Sequence, residues 1–209
     1  MQHFRFNIFF LLISLFLTSL FFQNAVAATP DPTEQLKPFL EKIVTQLKEP
    51  EFKEKTVADQ CQCIVEMASE HFDFHEMSKR VMGKQWRSLS SKEQGEFVDL
   101  FTKLLQYVYI GQVDEYLDKK IEFKQQRIKK NRAEVKTLFV GNNKTIPVSY
   151  IMLLKKDQWM AYDIVVEGVS LVRNYMEQIR SVLRDEKFTG LISLLEKKIK
   201  KLEAGEEEE

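Results

Sequence analysis

The sequence predicts an α+β protein with about four antiparallel strands between two groups of helices. Apolar residues recur every three or four positions between residue 31 and about residue 117, as on the buried stripe of an amphipathic helix. They alternate with polar residues between about 120 and 166, as in half-buried strands. Helical spacing then returns from 169 to 202. Because neither an internal repeat nor an interior linker interrupts this order, we predict one domain, residues 28–203.

The composition is that of a globular protein with balanced charge. The 209 residues include 31 Lys+Arg and 31 Asp+Glu, so the formal net charge is zero, and 44% of the chain is hydrophobic. These proportions exclude a collagen-like or disordered chain. The lack of a basic excess argues against a nucleic-acid binder.

The first 27 residues have the pattern of a secretory signal. Arg5 precedes an almost wholly apolar run, Ile8 to Phe22, and Ala25-Val26-Ala27 supplies the small residues that a signal peptidase recognises. The run is shorter than the roughly 20 residues that span a bilayer, so cleavage is favoured over an uncleaved anchor. We therefore expect a mature chain that begins at Ala28 and is exported to the periplasm.

Four helical segments are predicted before the strands. The first spans Asp31–Lys48, and an apolar stripe over 57–72 marks the second. A shorter helical stretch covers Asp73–Leu89. A Ser-x-x-Gln pattern at Ser91 indicates the start of a long helix that runs to about Leu117.

Changes in the spacing of apolar residues predict the strands and then the last helices. Alternation begins at Ile121 and continues through a second strand to a Gly-Asn-Asn turn at 141–143. The next strands are Ile146–Leu154 and Trp159–Val166, with a charged turn between them. Helices are then predicted from Val169 to about Arg184 and over Phe188–Leu202, and an acidic disordered tail over 204–209.

Residues with catalytic or metal-binding chemistry are scarce. His71 and His75 are four residues apart, which would place both on one helix face, but no third ligand completes a metal site. We favour two partly exposed histidines at a helix boundary. No nucleophile elbow, phosphate loop or dinucleotide fingerprint occurs. Ser170 is best explained as a helix N-cap. The sequence therefore predicts neither an enzyme nor a metal or cofactor.

Cys61 and Cys63 are separated by one residue and do not face each other on a helix. A disulfide between them would require a broken helix, although the oxidising periplasm leaves pairing open, including pairing between molecules through Cys63. We favour Cys61 as a small core residue and Cys63 as a free thiol.

The segment 119–136 is locally basic. This stretch contains eight Lys and Arg residues and only two Glu residues. One interpretation is attraction to anionic lipid headgroups or to an acidic partner. The interpretation that we favour is the solvated face and turn of a two-stranded ribbon.

Three segments resemble a known family, the periplasmic phospholipid-binding MlaC proteins of the Mla pathway, also called toluene-tolerance auxiliary proteins. The resemblance covers roughly residues 33–202. Its most specific part is the Gly-Val-Ser-Leu-Val-x-Asn-Tyr segment that begins at Gly168. Departures are Met176, where many relatives have Arg, and the two cysteines. The segments are Phe72-Asp73-Phe74 with Met77-Ser78, Val81-Met82-Gly83, Trp86-Arg87, Gln94, Phe97 and Phe101 to Leu105; Pro147 to Tyr150; and Trp159 with Tyr162-Asp163-Ile164 and Glu167 to Tyr175.

The resemblance implies a twisted antiparallel sheet wrapped by helices that together enclose an apolar lipid cavity. It implies a monomeric carrier, without catalysis, whose cargo is phospholipid. Such proteins shuttle lipid between an outer-membrane lipoprotein–porin complex and an inner-membrane ABC transporter with an MCE-domain subunit, and so maintain outer-membrane lipid asymmetry. No nucleic acid is implied as a partner.

Apolar residues of the long helix, the last two strands and the helix after Gly168 are the predicted lining of this cavity. Periodicity alone does not distinguish a filled core from a hollow one, so two alternatives stay open. One is a carrier of another apolar cargo such as a hopanoid, and the other is a periplasmic adaptor domain with a solid core. The predicted lining residues are Phe101, Leu104, Leu105, Val108, Tyr109, Tyr150, Met152, Leu154, Trp159, Ile164, Val166, Val169, Leu171, Val172, Tyr175 and Ile179.

Overall fold

The structure is a computed structural model that describes residues 29–110 and 118–205. Within these ranges the chain forms six α-helices, a 3-10 helix and a five-stranded sheet, so the predicted α+β class is confirmed. The predicted signal, the end of the long helix beyond residue 110 and the last four residues of the acidic tail lie outside the described residues. None of the described helices combines the length and apolar character that a membrane-spanning segment needs.

Helix α1, Pro32–Lys48, begins one residue after the predicted start, because Asp31 is its N-cap. The Asp31 carboxylate accepts hydrogen bonds from the amides of Thr33 and Glu34, at 2.8 and 3.0 Å. These bonds satisfy two of the amides that the first turn of a helix leaves without a partner. The helix therefore starts with a defined direction, which matters because it crosses the sheet.

The second predicted helix is shorter than its apolar stripe. After a single turn, α2 (Pro50–Lys53), helix α3 spans Val57–Ala68. The prediction that the stripe runs on to Phe72 is wrong, because Phe72 leaves the helix and forms a parallel bridge with Ala161 of the sheet. Pairing with a strand thus outweighs the helical period at this point.

The next predicted helix and the long helix appear as three elements. Helix α4 is Phe74–Met82, a 3-10 helix follows over Gly83–Ser88, and α5 is Ser91–Ile110. The capping box lies one residue before the predicted one: Ser90 donates its amide to the Glu93 carboxylate at 2.7 Å, and its hydroxyl accepts from the Glu93 amide at 3.3 Å.

The sheet is an antiparallel meander in chain order, with one strand more than the four expected. A bulge shifts the register of the first strand between Phe123 and Gln126. The basic segment 119–136 falls on the first hairpin, as the favoured interpretation predicts. The strands are β1 (Lys120–Lys129), β2 (Arg132–Val140), β3 (Thr145–Lys155), β4 (Gln158–Val166) and β5 (Val169–Ser170).

Helix α6, Leu171–Glu203, begins two residues later than predicted because Val169 and Ser170 pair with β4 as the short strand β5. Lys187 has non-helical angles, with φ 58° and ψ −172°, so α6 is two helical arms, 171–186 and 188–203. These two arms correspond to the two predicted helices.

The buried apolar residues form two large clusters. The sheet cluster joins one face of the sheet to α1, and the helical cluster joins α4, the 3-10 helix, α5 and both arms of α6. The sheet cluster contains Leu36, Phe39, Leu40, Ala133, Val135, Phe139, Ile146, Val148, Tyr150, Met152, Trp159 and Ala161. The helical cluster contains Met77, Val81, Met82, Trp86, Phe97, Phe101, Leu104, Leu105, Tyr175, Ile179, Leu191, Leu195 and Ile199.

Candidate functional site

The residues predicted to line a cavity divide between the two clusters instead of facing one surface of the sheet together. Val169 and Leu171, at the junction of β5 and α6, belong to neither. Six belong to the sheet cluster or pack against it: Tyr150, Met152, Leu154, Trp159, Ile164 and Val166. Eight belong to the helical cluster or pack against it: Phe101, Leu104, Leu105, Val108, Tyr109, Val172, Tyr175 and Ile179.

Exposure separates the same residues into structural and accessible members. Eight are buried and support the fold, whereas Val169 is 58% exposed. The other seven keep part of their surface open to solvent, although all are apolar or aromatic. The half-buried members are Val108, Tyr109, Leu154, Ile164, Val166, Leu171 and Val172.

The segment between α3 and α4 joins the two clusters. Phe72 packs on the sheet cluster and Phe74 on the helical cluster, and their ring centroids are 6.3 Å apart. Between them, the Asp73 amide donates to the Ala161 carbonyl at 2.8 Å. The Phe-Asp-Phe segment is therefore the place where both apolar clusters meet, at the edge of β4 that lies opposite β3.

Polar contacts of the Asp73 carboxylate, here called a polar joint, fix α4 against the sheet. The Asp73 carboxylate caps the helix by accepting from the Glu76 amide at 3.0 Å, and it forms an ion pair with Lys155. Glu76 in turn pairs with Arg80 at 2.8 Å. The Arg80 guanidinium lies 3.8 Å from the ring centroid of Tyr162 on β4, which is a cation–π contact.

A second polar joint fixes the start of α6. The carboxylate of Asp163 on β4 accepts from the Ser170 hydroxyl at 2.6 Å and from the Val172 amide at 3.0 Å. Ser170 also accepts from the Arg173 amide at 3.0 Å, so its predicted role as helix N-cap is confirmed. Because Asp163 is only 8% exposed, these bonds are shielded from water.

The sequence-based list of site residues contains only apolar and aromatic side chains and so misses both aspartates. A signal for them was present, since each lies between two large apolar residues: Phe-Asp-Phe at 72–74 and Tyr-Asp-Ile at 162–164. A carboxylate in such surroundings is stable only with partners. It therefore indicates a polar joint inside an apolar interior.

Trp159 combines an apolar and a polar role. Its ring is fully buried in the sheet cluster, and its indole N–H donates to the Pro30 carbonyl at 2.7 Å. Its backbone amide donates to the side chain of Gln35 on α1 at 2.8 Å. These two bonds hold α1 across the sheet and close the sheet cluster on that side.

The two histidines contact different aromatic rings. His71 lies 4.4 Å from Phe39 between ring centroids, and burial lowers the pKa of its imidazole. His75 meets Trp86 edge-on at 5.2 Å. Within the described ranges, no group of three or more His, Cys, Asp or Glu side chains is arranged to hold a metal ion.

Both cysteines are free thiols in the structure. Cys61 is 2% exposed, and burial raises the pKa of its thiol to about 11. Cys63 is half-buried. The interpretation of Cys61 as a small core residue is confirmed, and the interpretation of Cys63 as a free thiol stays a prediction.

A protein-family model and a solved structure match the chain. The family model, described as MlaC protein, matches residues 37–197. The solved structure is a phospholipid-binding protein from Ralstonia solanacearum in complex with a phospholipid, with a TM-score of 0.77 and 20% sequence identity. The match covers 83% of this chain and 99% of that chain. No curated protein sequence matches.

Proposed function

Since the chain belongs to the MlaC protein family, we propose that it is a periplasmic phospholipid carrier that shuttles lipid between the outer and inner membranes. The family is the one that the sequence resemblance predicts, and that prediction is confirmed. The transport would maintain the lipid asymmetry of the outer membrane. Its partners would be an outer-membrane lipoprotein–porin complex and an inner-membrane ABC transporter with an MCE-domain subunit. The lipid is cargo, and no catalytic step is proposed.

The observation that carries the proposal is the set of half-buried apolar side chains at the margins of both clusters. Val108 and Val172 lie at the margin of the helical cluster, and Ile164 and Val166 at that of the sheet cluster. On β4, Ile164 and Val166 pair with Tyr150 and Val148 and lie on the face of the sheet cluster, whereas the Asp163 side chain, which accepts from the Val172 amide, lies on the other face. An acyl chain laid along either margin would cover apolar surface.

The physical gain comes from removing apolar surface from water. Each acyl methylene that becomes buried contributes about 0.8 kcal/mol, so a chain needs extended contact with apolar walls to stay bound. The fully buried residues behind these margins supply rigid walls, while the polar joints at Asp73 and Asp163 hold the walls in place. The arrangement suits a ligand that is bound by burial of its apolar surface and can leave without breaking a specific hydrogen bond or ion pair.

The direct test is to identify what the protein carries. The protein is purified from a bacterial host without detergent, and its organic extract is analysed by mass spectrometry. Glycerophospholipid in stoichiometric amount is the expected result. Recovery of a hopanoid or another apolar molecule would show that the cargo is not phospholipid. Repeated recovery of protein without any lipid would favour an adaptor domain with a solid core.

A matched pair of substitutions tests where the lipid sits. Val169→Asp and Val57→Asp make the same change at residues that are 58% and 54% exposed, so both variants should fold. Val169 is a predicted lining residue that pairs with Val166 of β4, whereas Val57 starts α3 and belongs to neither large cluster. We expect Val169→Asp alone to lose bound phospholipid. Equal lipid content in both variants would remove Val169 from the site.

A further inference from the structure

We propose that one end of the sheet is a docking surface for an anionic membrane, distinct from the interior that takes the lipid. The surface, here called the basic end, consists of Arg127, Lys129, Lys130, Arg132 and Lys156. All five side chains are exposed. The proposal does not depend on the identity of the cargo, because docking uses the outside of the protein.

The topology brings these residues together from two turns. Lys129 and Arg132 pair at the end of the β1–β2 hairpin, and Lys156 lies in the β3–β4 turn. The two turns are neighbours, because the amide of Leu154 donates to the carbonyl of Asn131 at 2.9 Å. Positive charges that are far apart in the sequence therefore form one patch at the tip of the sheet.

The basic end carries an excess of positive charge. Within the described part of the chain, none of its five cations forms an ion pair, whereas nearby Lys155 and Lys136 are paired with Asp73 and Glu134. Two carboxylates lie close to the five cations, Asp157 in the β3–β4 turn and Glu134 opposite Arg127 in the sheet, so the cations exceed the carboxylates by three. A cluster of this size matches the four to eight Lys and Arg residues that attract a protein to an anionic lipid surface.

Two of the lysines occupy backbone positions that do not suit them. Lys130 and Lys156 have φ of 57° and 55°, in the left-handed region that favours Gly or Asn. Gly or Asn would adopt this backbone conformation at a lower energetic cost, yet both turns have Lys at this position. The two turns therefore place a cation at each of their tips.

An exposed apolar side chain favours a membrane over an acidic protein as the occupant. Ile128, 43% exposed, lies between Arg127 and Lys129 in the sequence and pairs with Ala133, so it is on the opposite face of the same hairpin end. A membrane that meets the hairpin end-on would contact both faces, with the cations at the phosphates and Ile128 at the boundary of the acyl region. The depression beside it is lined by Gln125, Gln126, Arg127, Glu134 and Lys136, so it offers a protein partner no apolar pocket.

The second arm of α6 supplies a matched control. Lys197, Lys200 and Lys201 line another surface depression, but Glu196 lies among them. The control variant Lys197→Gln, Lys200→Gln, Lys201→Gln removes three charges there. The test variant Lys129→Gln, Lys130→Asn, Lys156→Asn removes three from the basic end, with Asn chosen because it tolerates positive φ.

The experiment measures cosedimentation of the purified protein with phosphatidylcholine vesicles that do or do not contain phosphatidylglycerol. We expect binding only to the anionic vesicles, and weaker binding as salt rises. The test variant should bind about a hundredfold more weakly, at roughly fivefold per charge, and the control should change little. Ile128→Ser should weaken binding without changing its salt dependence.

Three outcomes would overturn the proposal. One is a test variant that binds anionic vesicles as well as the unmodified protein, and another is an equal loss in the control variant. The third is binding to immobilised polyglutamate with no binding to either kind of vesicle, which would assign the basic end to an acidic polypeptide. Circular dichroism confirms that the variants fold, and none of these results depends on whether phospholipid is found inside.

Discussion

The helical cluster and the sheet cluster are similar in size but are held together by different interactions. The sheet cluster is backed by the backbone ladder of four long strands, and α1 is tied to it by the hydrogen bonds of Trp159. The helical cluster depends on side-chain packing, such as the edge-on contact of Phe101 with Tyr175 at 5.2 Å between centroids. Its longest helix is interrupted at Lys187.

For the proposed carrier, the difference predicts which side would yield to a lipid. A strand cannot move without breaking backbone hydrogen bonds to its neighbours in the sheet, whereas packed helices can shift by small sliding movements. We therefore expect the sheet cluster to act as a fixed wall and the helical cluster to move. The polar joints at Asp73 and Asp163 would set the position about which it moves.

The largest expected effect comes from truncating one buried side chain in each cluster. Phe101→Ala should destabilise the protein by about 3–5 kcal/mol, and Met152→Ala by about 2–5 kcal/mol, as measured by urea unfolding. Native-state hydrogen exchange should separate them. Phe101→Ala should speed exchange in α5 and α6 and leave β2 to β4 protected, whereas Met152→Ala should speed exchange across the sheet. Equal loss of protection in both variants would show that the clusters unfold as one unit.

A smaller effect is expected at the joint between the clusters. Asp163→Ala removes the acceptor for Ser170 and Val172 and should cost about 2–3 kcal/mol, because both bonds go to a shielded carboxylate. Asp163→Asn keeps an oxygen acceptor and should lose less. Thermal unfolding of the two variants measures the difference. If they are equally destabilised, a single neutral oxygen does not replace the two oxygens and the charge of the carboxylate.

The ion pair that closes the helical cluster should contribute less again. Lys103 and Glu203 approach to 2.6 Å, but both side chains are more than a third exposed, so Lys103→Gln should cost under about 1 kcal/mol. The bond to Lys103 lowers the pKa of Glu203 below its ordinary value of 4.5. Its contribution is therefore complete above pH 4.5 and is lost as the pH falls through the lowered pKa.

Urea unfolding as a function of pH checks this prediction. The difference in stability between the unmodified protein and Lys103→Gln should shrink towards zero in acid. A difference that stays constant below pH 4.5 would mean that the lysine stabilises the helices through its aliphatic stem and not through its charge.

Chemical labelling of the two native cysteines can measure movement of the helical cluster, and it needs no further substitution that would change the stability of the protein. Cys61 is buried near Tyr107, which packs on the helical cluster, and its raised pKa of about 11 keeps it protonated at neutral pH. A maleimide should therefore label Cys63 first and Cys61 only when the helices open. Mass spectrometry of the labelled protein should show faster labelling of Cys61 in Phe101→Ala than in Met152→Ala. The reverse order would place the mobile side at the sheet.

Much of the fold followed from local pattern. The period of three to four residues placed α1 and the two arms of α6, and the change to alternation placed β2, β3 and β4. Ser170 was predicted as a cap because hydroxyl residues favour that position wherever a helix begins. These features depend on neighbours within a few residues, which is the range that sequence spacing describes.

The errors lie where distant segments meet. Phe72 continues the apolar stripe of α3, but pairing with Ala161 draws it out of the helix. Val169 and Ser170 have helical neighbours, but β4 recruits them as a fifth strand. In both places the competing interaction comes from the edge of β4, and periodicity contains no information about that edge.

The sequence by itself determined the class of the fold, the family, the choice of apolar residues for the interior and the basic composition of the first hairpin. Only the tertiary structure decided that the interior is two clusters, that Asp73 and Asp163 join them, and that lysines from two turns meet at one end. The physical reason is that burial and charge patches are sums over residues from separate segments. Spacing along the chain fixes which face a residue occupies, but not which other segment that face meets.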